Sequence, residues 1–342
     1  MTPAPGTRSI RVGEQITSHR VFGIVPHLKR PQAVALAKSL IADLAERGCS
    51  VRVPKSDAEG TGLQEWAVDE DGFAEGMELA FSLGGDGTML RTVDLLRGSG
   101  VPVLGVNVGH LGYLTTLLPA ELPERLEALL HGDFVVEERM IMKITLFERS
   151  STATANVITS TERTHDGVES VQPSRTLYAL NDAVLEKSSA GTTVRLGVSF
   201  NGEHFLDYST DGLIIATPTG STAYAFSARG PIVSPLMQAI VVVPVSPHML
   251  FDRSLVLAGT EQVRIEVLDS RHATLFVDGR NEGSFEEGSS IVCERNNAPA
   301  KLVAFGERDF HSILKAKFGL NGPGMPDRER FTTPDVGDRS AG

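Results

Sequence analysis

The sequence predicts an α/β chain: a parallel sheet with helices on both faces, followed by a β-rich domain. Three observations lead there. Between residues 21 and 130, short apolar runs alternate with segments of helical period. From about Gly132 the pattern changes to strict alternation, with hairpin-type turns such as Asn201-Gly202 and Asp278-Gly279 between runs. Between the first two strands and the later ones stands Phe81-Ser-Leu-Gly-Gly-Asp86-Gly-Thr88-Met-Leu-Arg91, an apolar run that stops at glycines and opens a helix.

Taken in order, residues 1–18 are polar and without pattern, and are expected to be a mobile tail. Val21-Phe-Gly-Ile-Val-Pro is a first strand. Residues 32–47 place Ala33, Leu36, Ala37, Leu40, Ile41 and Leu44 at helical spacing, and Gly48 ends that helix. Ser50-Val-Arg-Val is a second strand, and residues 55–71 read as a loop or short surface helix. The apolar run 77–83 is the central strand, after which Thr88 is expected to open a helix carrying Met89, Leu90, Val93 and Leu96. Residues 101–106 form a further strand, 107–112 a turn, and 122–130 a helix. Residues 19–131 thus make one Rossmann-like domain.

The second domain is expected to span 132–305. Its strands include Met142-Lys-Ile-Thr-Leu, 193–200, Val263-Arg-Ile-Glu-Val and Ala273-Thr-Leu-Phe-Val. Within it, 150–174 is rich in Ser, Thr and Glu and reads as a loop insertion. Residues 306–320 are expected to return and pack on the first domain, and 321–342, with Pro323, Pro326 and Pro334, to be a loose tail.

Composition narrows the chemistry. A net charge of −11 argues against nucleic acid or an anionic membrane as partner. No apolar run reaches membrane-span length, and no secretory h-region is present. Cys49 and Cys293 fit no metal-ligand spacing, so a reducing, cytoplasmic compartment is expected. Positive charge for an anionic substrate must then come from helix N-termini, placed residues such as Arg91, Lys187, Arg195 and Arg229, and a divalent metal.

Four stretches carry chemistry. A strand–glycine–helix junction aims free N–H groups and the positive end of a helix at one point, which suits phosphate, with Gly84, Gly85, Gly87 and Thr88 as the loop. A carboxylate there repels phosphate, so Asp86 is expected to hold a metal or to take a proton from an attacking hydroxyl. Asn181-Asp182 could hold a diol and a base edge, or form an Asx turn. The run from Asp211 through Thr-Pro-Thr-Gly-Ser-Thr222-Ala-Tyr224-Ala-Phe-Ser227 forms a wall of hydroxyls and backbone donors, with Tyr224 as a stacking face. No Gly-x-Ser-x-Gly or paired His supports a serine nucleophile. In Pro244-Val-Ser-Pro-His248, His248 reads as a supporting group, and Asp278-Gly279 reads first as a hairpin turn.

Together, Gly84-Gly-Asp-Gly-Thr88, Gly109-His-Leu-Gly-Tyr-Leu114, Asn181-Asp182, the run Asp211–Tyr224 and Pro244–His248 resemble the NAD kinase family, in that family's order. The resemblance implies phosphoryl transfer from ATP or inorganic polyphosphate to the 2′-hydroxyl of the adenosine ribose of NAD, giving NADP. It implies Asp86 as proton acceptor, and Asp86, Gly87 and Arg91 as nucleotide contacts. Asn181 and Asp182 would contact the adenosine moiety, and Asp211 would lie near the nicotinamide end. Thr222, Ala223, Tyr224, Ala225, Phe226 and Ser227 would line the adenine and amide pockets. Many members have Glu where this chain has Asp182, and some bacterial members have Arg where it has Ser209. Mg²⁺ would accompany the donor, and a homodimer or homotetramer is implied. A lipid or sugar kinase sharing the glycine loop, or a non-catalytic NAD(P)-binding sensor, are the alternatives.

Overall fold

The computed structural model describes residues 7–8, 20–109, 112–115, 117–148, 173–306 and 310–318. His110 and Leu111 of the Gly109–Leu114 motif, all but the last two residues of the 150–174 insertion, and the tail beyond 320 lie outside that set. The strands up to Ala304 make three sheets within one compact unit.

The first sheet has eight strands, in the order Thr7–Arg8, Val135–Arg139, Ala300–Ala304, Val103–Asn107, Leu79–Gly84, Val21–Pro26, Ser50–Pro54, Ala67–Val68. All pairs from Ala300–Ala304 to Ala67–Val68 are parallel. The chain builds outward from Val21–Pro26 in one direction and then, from Leu79–Gly84, in the other. The reversal leaves a switch point between the carboxyl ends of those two strands, where ligands of such sheets bind. Both strands are buried on both faces, which explains their continuous apolar character. Helices Pro31–Glu46 and Leu122–Leu130 cover one face through Leu40, Leu44, Leu126 and Leu129. Helix Asp86–Leu95 covers the other through Met89 and Val93.

The other two sheets are antiparallel and six-stranded. One runs Leu255–Ala258, Ala239–Val245, Gly212–Ala216, Asp182–Lys187, Ala273–Val277, Arg280–Phe285; the other runs Glu203–Thr210, Val194–Phe200, Val263–Val267, Ser290–Arg295, Met142–Phe147, Arg175–Ala179. Their inward faces share one core, including Leu185, Leu213, Leu275, Ile144, Leu196 and Ile265, as the period-two pattern requires. The outer face of the first of these sheets is also covered, by Ala225 and Val233 packing on Val184, Ile214 and Val241.

The expected fold class is therefore borne out, with three local differences. The glycine-loop helix starts at Asp86 rather than Thr88, because extended Gly85 already serves as its cap. Val135–Arg139 and Ala300–Ala304 extend the first sheet rather than the β-rich part, so the change of texture at Gly132 precedes the change of sheet. Thr7–Arg8, inside the expected mobile tail, pairs with Val136 and Glu137, where an edge strand offers open backbone groups. Phe310–Phe318 is a helix in a unit of its own.

Candidate active site

Two carboxylates held by backbone N–H groups frame the site. Asp86 occupies the first helical position after Gly84-Gly85, with its side chain half-buried. Its Oδ2 accepts the N–H of Tyr113 at 2.8 Å and its Oδ1 that of Leu114 at 3.0 Å. Among the described residues each oxygen accepts that one bond alone. A Cβ on Gly112 would stand 2.0 Å from Asp86 Oδ1, so only glycine lets that segment close on the carboxylate. Met89 N–H bonds Gly85 O, whereas the N–H groups of Asp86, Gly87 and Thr88 precede the first intrahelical bond and are free to meet an anion. Gly84 is equally constrained, since a Cβ there would lie 2.2 Å from Thr88 Oγ1.

The second carboxylate is that of Asp278. With Gly279 it forms the two-residue turn of a hairpin, both residues at positive φ (49° and 76°), as the Asp-Gly pair predicts. The sequence does not reveal what the carboxylate does. Oδ2 accepts Leu180 N–H at 2.9 Å, and Oδ1 accepts those of Asn181 at 2.8 Å and Asp182 at 3.1 Å. Asp278 N–H returns a bond to Asp182 O at 3.0 Å. Burial raises this carboxyl's pKa, against the lowering effect of the three N–H donors.

That cradle fixes Asn181 and Asp182 at the edge of a cleft of about 390 Å³. Leu90, Asn181, Asp182, Glu186, Ala223 and Tyr224 line it, with Asp278 at its base. Leu90 lies four residues after Asp86 on one helix, so both share a face and Asp86 stands one turn further toward the helix start. Asp182 is 5% exposed, and among the described residues its carboxylate takes no hydrogen bond. Burial, and then the charge of Asp278, push its pKa up to about 7.

The 211–227 wall is built from its own backbone. Thr217 N–H bonds Asn181 O at 2.8 Å, its hydroxyl bonds Leu180 O, and its Oγ1 accepts Gly220 N–H at 3.1 Å. Gly220 lies so close that a Cβ would sit 2.0 Å from Asn181 O. Ser221 Oγ donates to Pro218 O at 2.7 Å and accepts Val233 N–H at 3.0 Å, which makes it a staple and not a nucleophile. Tyr224 is 39% exposed and donates to Glu186 Oε1 at 2.6 Å; burial and that bond push its pKa up to about 12.

Not every expected residue faces the cleft. Asn181, Asp182, Ala223 and Tyr224 line it; Phe226 and Ser227 are exposed, and Ala225 is inside the core. Thr222 Oγ1 bonds Thr219 O at 3.2 Å. Asp211 is bound by Lys187 Nζ at 2.6 Å. Arg91 grips the buried carboxylate of Asp57 and donates to Ser56 Oγ at 2.9 Å, so its guanidinium ties the glycine-loop helix to the 55–58 turn. His248 is exposed and donates its N–H to Ser209 O at 2.8 Å. Sequence reasoning missed Glu186 and Gly112 and underrated Asp278. The only signal for Asp278 was its turn, which tells nothing about a contact across 98 residues. Among the described residues no three His, Cys, Asp or Glu cluster to hold a metal ion, and no helix is long and apolar enough to cross a membrane.

Comparison with known proteins follows the same division. The family model of the ATP-NAD kinase N-terminal domain matches residues 22–134, and that of the ATP-NAD kinase C-terminal domain matches 180–305. The NAD kinase of Thermobifida fusca is 34% identical over 312 residues, covering 89% of this chain and 90% of that protein. The NAD kinase of Moorella thermoacetica is 33% identical over 315 residues, covering 91% and 93%. Yeast NADH kinase, solved in complex with NADH, superposes with a TM-score of 0.80 at 24% identity, covering 97% of this chain and 95% of that one. An NAD kinase from Archaeoglobus fulgidus in complex with ATP gives 0.61 at 21% identity, covering 89% and 100%.

Proposed function

The chain belongs to the NAD kinase family, and from that premise we propose that it transfers a phosphoryl group to the 2′-hydroxyl of the adenosine ribose of NAD, giving NADP. The observation that carries this reading is the buried Asp182 carboxylate. Among the described residues it has no donor, and it lines a cleft across from the helix that begins with Asp86. A ribose offers its 3′-hydroxyl as donor to such a carboxylate and leaves the 2′-hydroxyl for Asp86, with the adenine against Asn181, Ala223 and the Tyr224 ring.

Asp86 accepts the 2′-hydroxyl proton as the bond to phosphorus forms and the bond from that phosphorus to the donor's bridging oxygen breaks, releasing ADP or a polyphosphate one unit shorter. The N–H groups of Tyr113 and Leu114 hold its carboxylate in one orientation, and the unused lone pairs take the proton. The N–H groups of Asp86, Gly87 and Thr88 receive donor phosphate oxygens at the helix start. The chain's acids form no three-ligand metal cluster among the described residues, so a divalent ion such as Mg²⁺ fits as cargo of the donor phosphates. There it would offset phosphate charge. ATP or inorganic polyphosphate serves as donor, and the working unit in our reading is a cytoplasmic homodimer or homotetramer.

Purified protein incubated with Mg-ATP and NAD, and read with an NADP-specific dehydrogenase, tests the activity. Product is expected with NAD and none with the analogue lacking the 2′-hydroxyl. Binding of NAD without product would identify a sensor instead; inactivity toward NAD together with phosphorylation of a lipid or sugar would overturn the reading. Replacing ATP by polyphosphate assigns the donor.

A further inference from the structure

Behind the cleft, on the other side of Leu180 and Asp278, lies a second cavity. Leu90 and Asp278 line both. It measures about 40 Å³, room for a few water-sized groups or a small organic molecule. Its wall is apolar, formed by Val93, Leu96, Val103, Ile141 and Leu180, and such a wall holds water poorly. Its rim carries Arg97, Lys301 and Tyr178.

The charges around it do not cancel. Asp94 takes Arg280 at 2.6 Å and Arg97 at 3.3 Å, and Asp278 is held by three backbone N–H groups, so three cations, Arg280, Arg97 and Lys301, stand around two acids. Arg97 stacks on the Tyr178 ring, 5.0 Å from its centroid. Lys301 makes no ion pair among the described residues, not even with its cross-strand neighbour Glu138. Its Nζ leans over the loop that follows the glycine-loop helix, 3.5 Å from where a Gly100 Cβ would stand. An apolar pit with an unpaired ammonium and a half-neutralised guanidinium at its mouth is built for a short-tailed carboxylate.

We infer that this cavity is an effector site for a small aliphatic carboxylate, the acid group held by Lys301 and Arg97 and the tail packed on Val93, Leu96 and Leu180. The site would speak to the cleft through Leu180. Its side chain walls the cavity while its N–H binds Asp278 and its carbonyl accepts the Thr217 hydroxyl. Filling the void favours the arrangement in which Asn181 and Asp182 are cradled, so the effector tightens NAD binding and leaves turnover alone. The coupling rests on the proposed kinase reading; the binding does not.

Butyrate, titrated into the full chain and followed by methyl NMR, tests both limbs. Shifts are expected at the methyl groups of Val93, Val101 and Leu180, with a Kd of roughly 1 mM, reasonable for six heavy atoms. Lys301→Met should weaken binding about tenfold, the scale of one charge-assisted contact. Val101→Phe, at the part-exposed rim, should block binding by filling the mouth while leaving basal activity unchanged. Butanol should bind more weakly than butyrate. Butyrate should also lower KM for NAD about twofold to threefold with kcat unchanged, and Val101→Phe should abolish that response. No shift at those methyl groups well above 1 mM, or equal binding by Lys301→Met, would overturn the site. Binding with an unchanged KM in an active enzyme would overturn the coupling alone. Binding by a protein that never phosphorylates NAD would uphold the site and sink the kinase reading instead.

Discussion

Asp86 and Asp278 are both held by backbone N–H groups, yet the two settings assign them opposite work. Asp86 takes two donors from one neighbouring segment, stays half-buried, and keeps free lone pairs at the start of a helix. Asp278 takes three donors from consecutive residues and closes its own turn at the same time. Two donors orient a carboxylate and leave it able to accept a proton. Three donors on successive residues convert it into a clamp on the backbone. In the proposed reaction the difference separates the proton acceptor from a group that shapes the cleft around it, and each can be broken alone.

The largest effect is expected at Asp86. Asp86→Asn should lower kcat at least about 100-fold, the usual contribution of a general base, with a stability loss of only about 1 kcal/mol for the one N–H that the amide leaves without an acceptor. Next comes Asp278→Ala, which leaves three N–H groups without their acceptor; about 3 kcal/mol of stability should be lost in denaturant unfolding, with a raised KM for NAD. Asp278→Asn keeps one acceptor oxygen and should fall between. Gly112→Ala sharpens the contrast from the other side. Its Cβ would displace the Asp86 carboxylate, so kcat should drop about tenfold with KM for NAD nearly unmoved. Arg91→Met should cost roughly 2 kcal/mol by leaving buried Asp57 unpaired, a figure discounted because the guanidinium is part-exposed. A larger loss in NAD affinity than in stability would return Arg91 to the nucleotide.

The smallest effect is a pH dependence. Asp182 sits at about 7 in the fold against 3.8 for the free side chain, so the native state binds the extra proton between those values. Its contribution therefore makes the unliganded protein less stable as pH rises across that window. The ribose 3′-hydroxyl donates to the ionised form, so KM for NAD should fall a few-fold from pH 6 to 8. In Asp182→Asn both slopes should flatten.

What the sequence revealed follows from how local each signal is. The glycine loop is contiguous: strand, turn and helix lie within residues 79–95, so residue order alone displays the junction. The Asn201-Gly202 and Asp278-Gly279 hairpins were equally legible, because a two-residue turn at positive φ admits few residue types. The Asp278 clamp was hidden, since it joins residues 96 to 98 apart and uses backbone donors that carry no side-chain signature. Gly112 was hidden for a related reason: a glycine shows that space is short but not what occupies it. The ion pair of Arg91 was hidden as well, because the Asp57 carboxylate that holds it lies 34 residues away. The pairing of Val135–Arg139 with Ala300–Ala304 was hidden because texture reports exposure pattern, and an antiparallel strand added to a parallel sheet keeps its own alternation.

The division of labour between the two aspartates is tested most directly by a structure of the protein with NAD bound. The adenosine ribose 2′-oxygen should lie about 2.6–3.2 Å from an Asp86 carboxylate oxygen, or be joined to it through one water, with Asp182 on the ribose and Asp278 still clamping the 180–182 turn. A ribose seated away from Asp86 with no bridging water, or a 2′-oxygen bonded to Asp278 in its place, would contradict it.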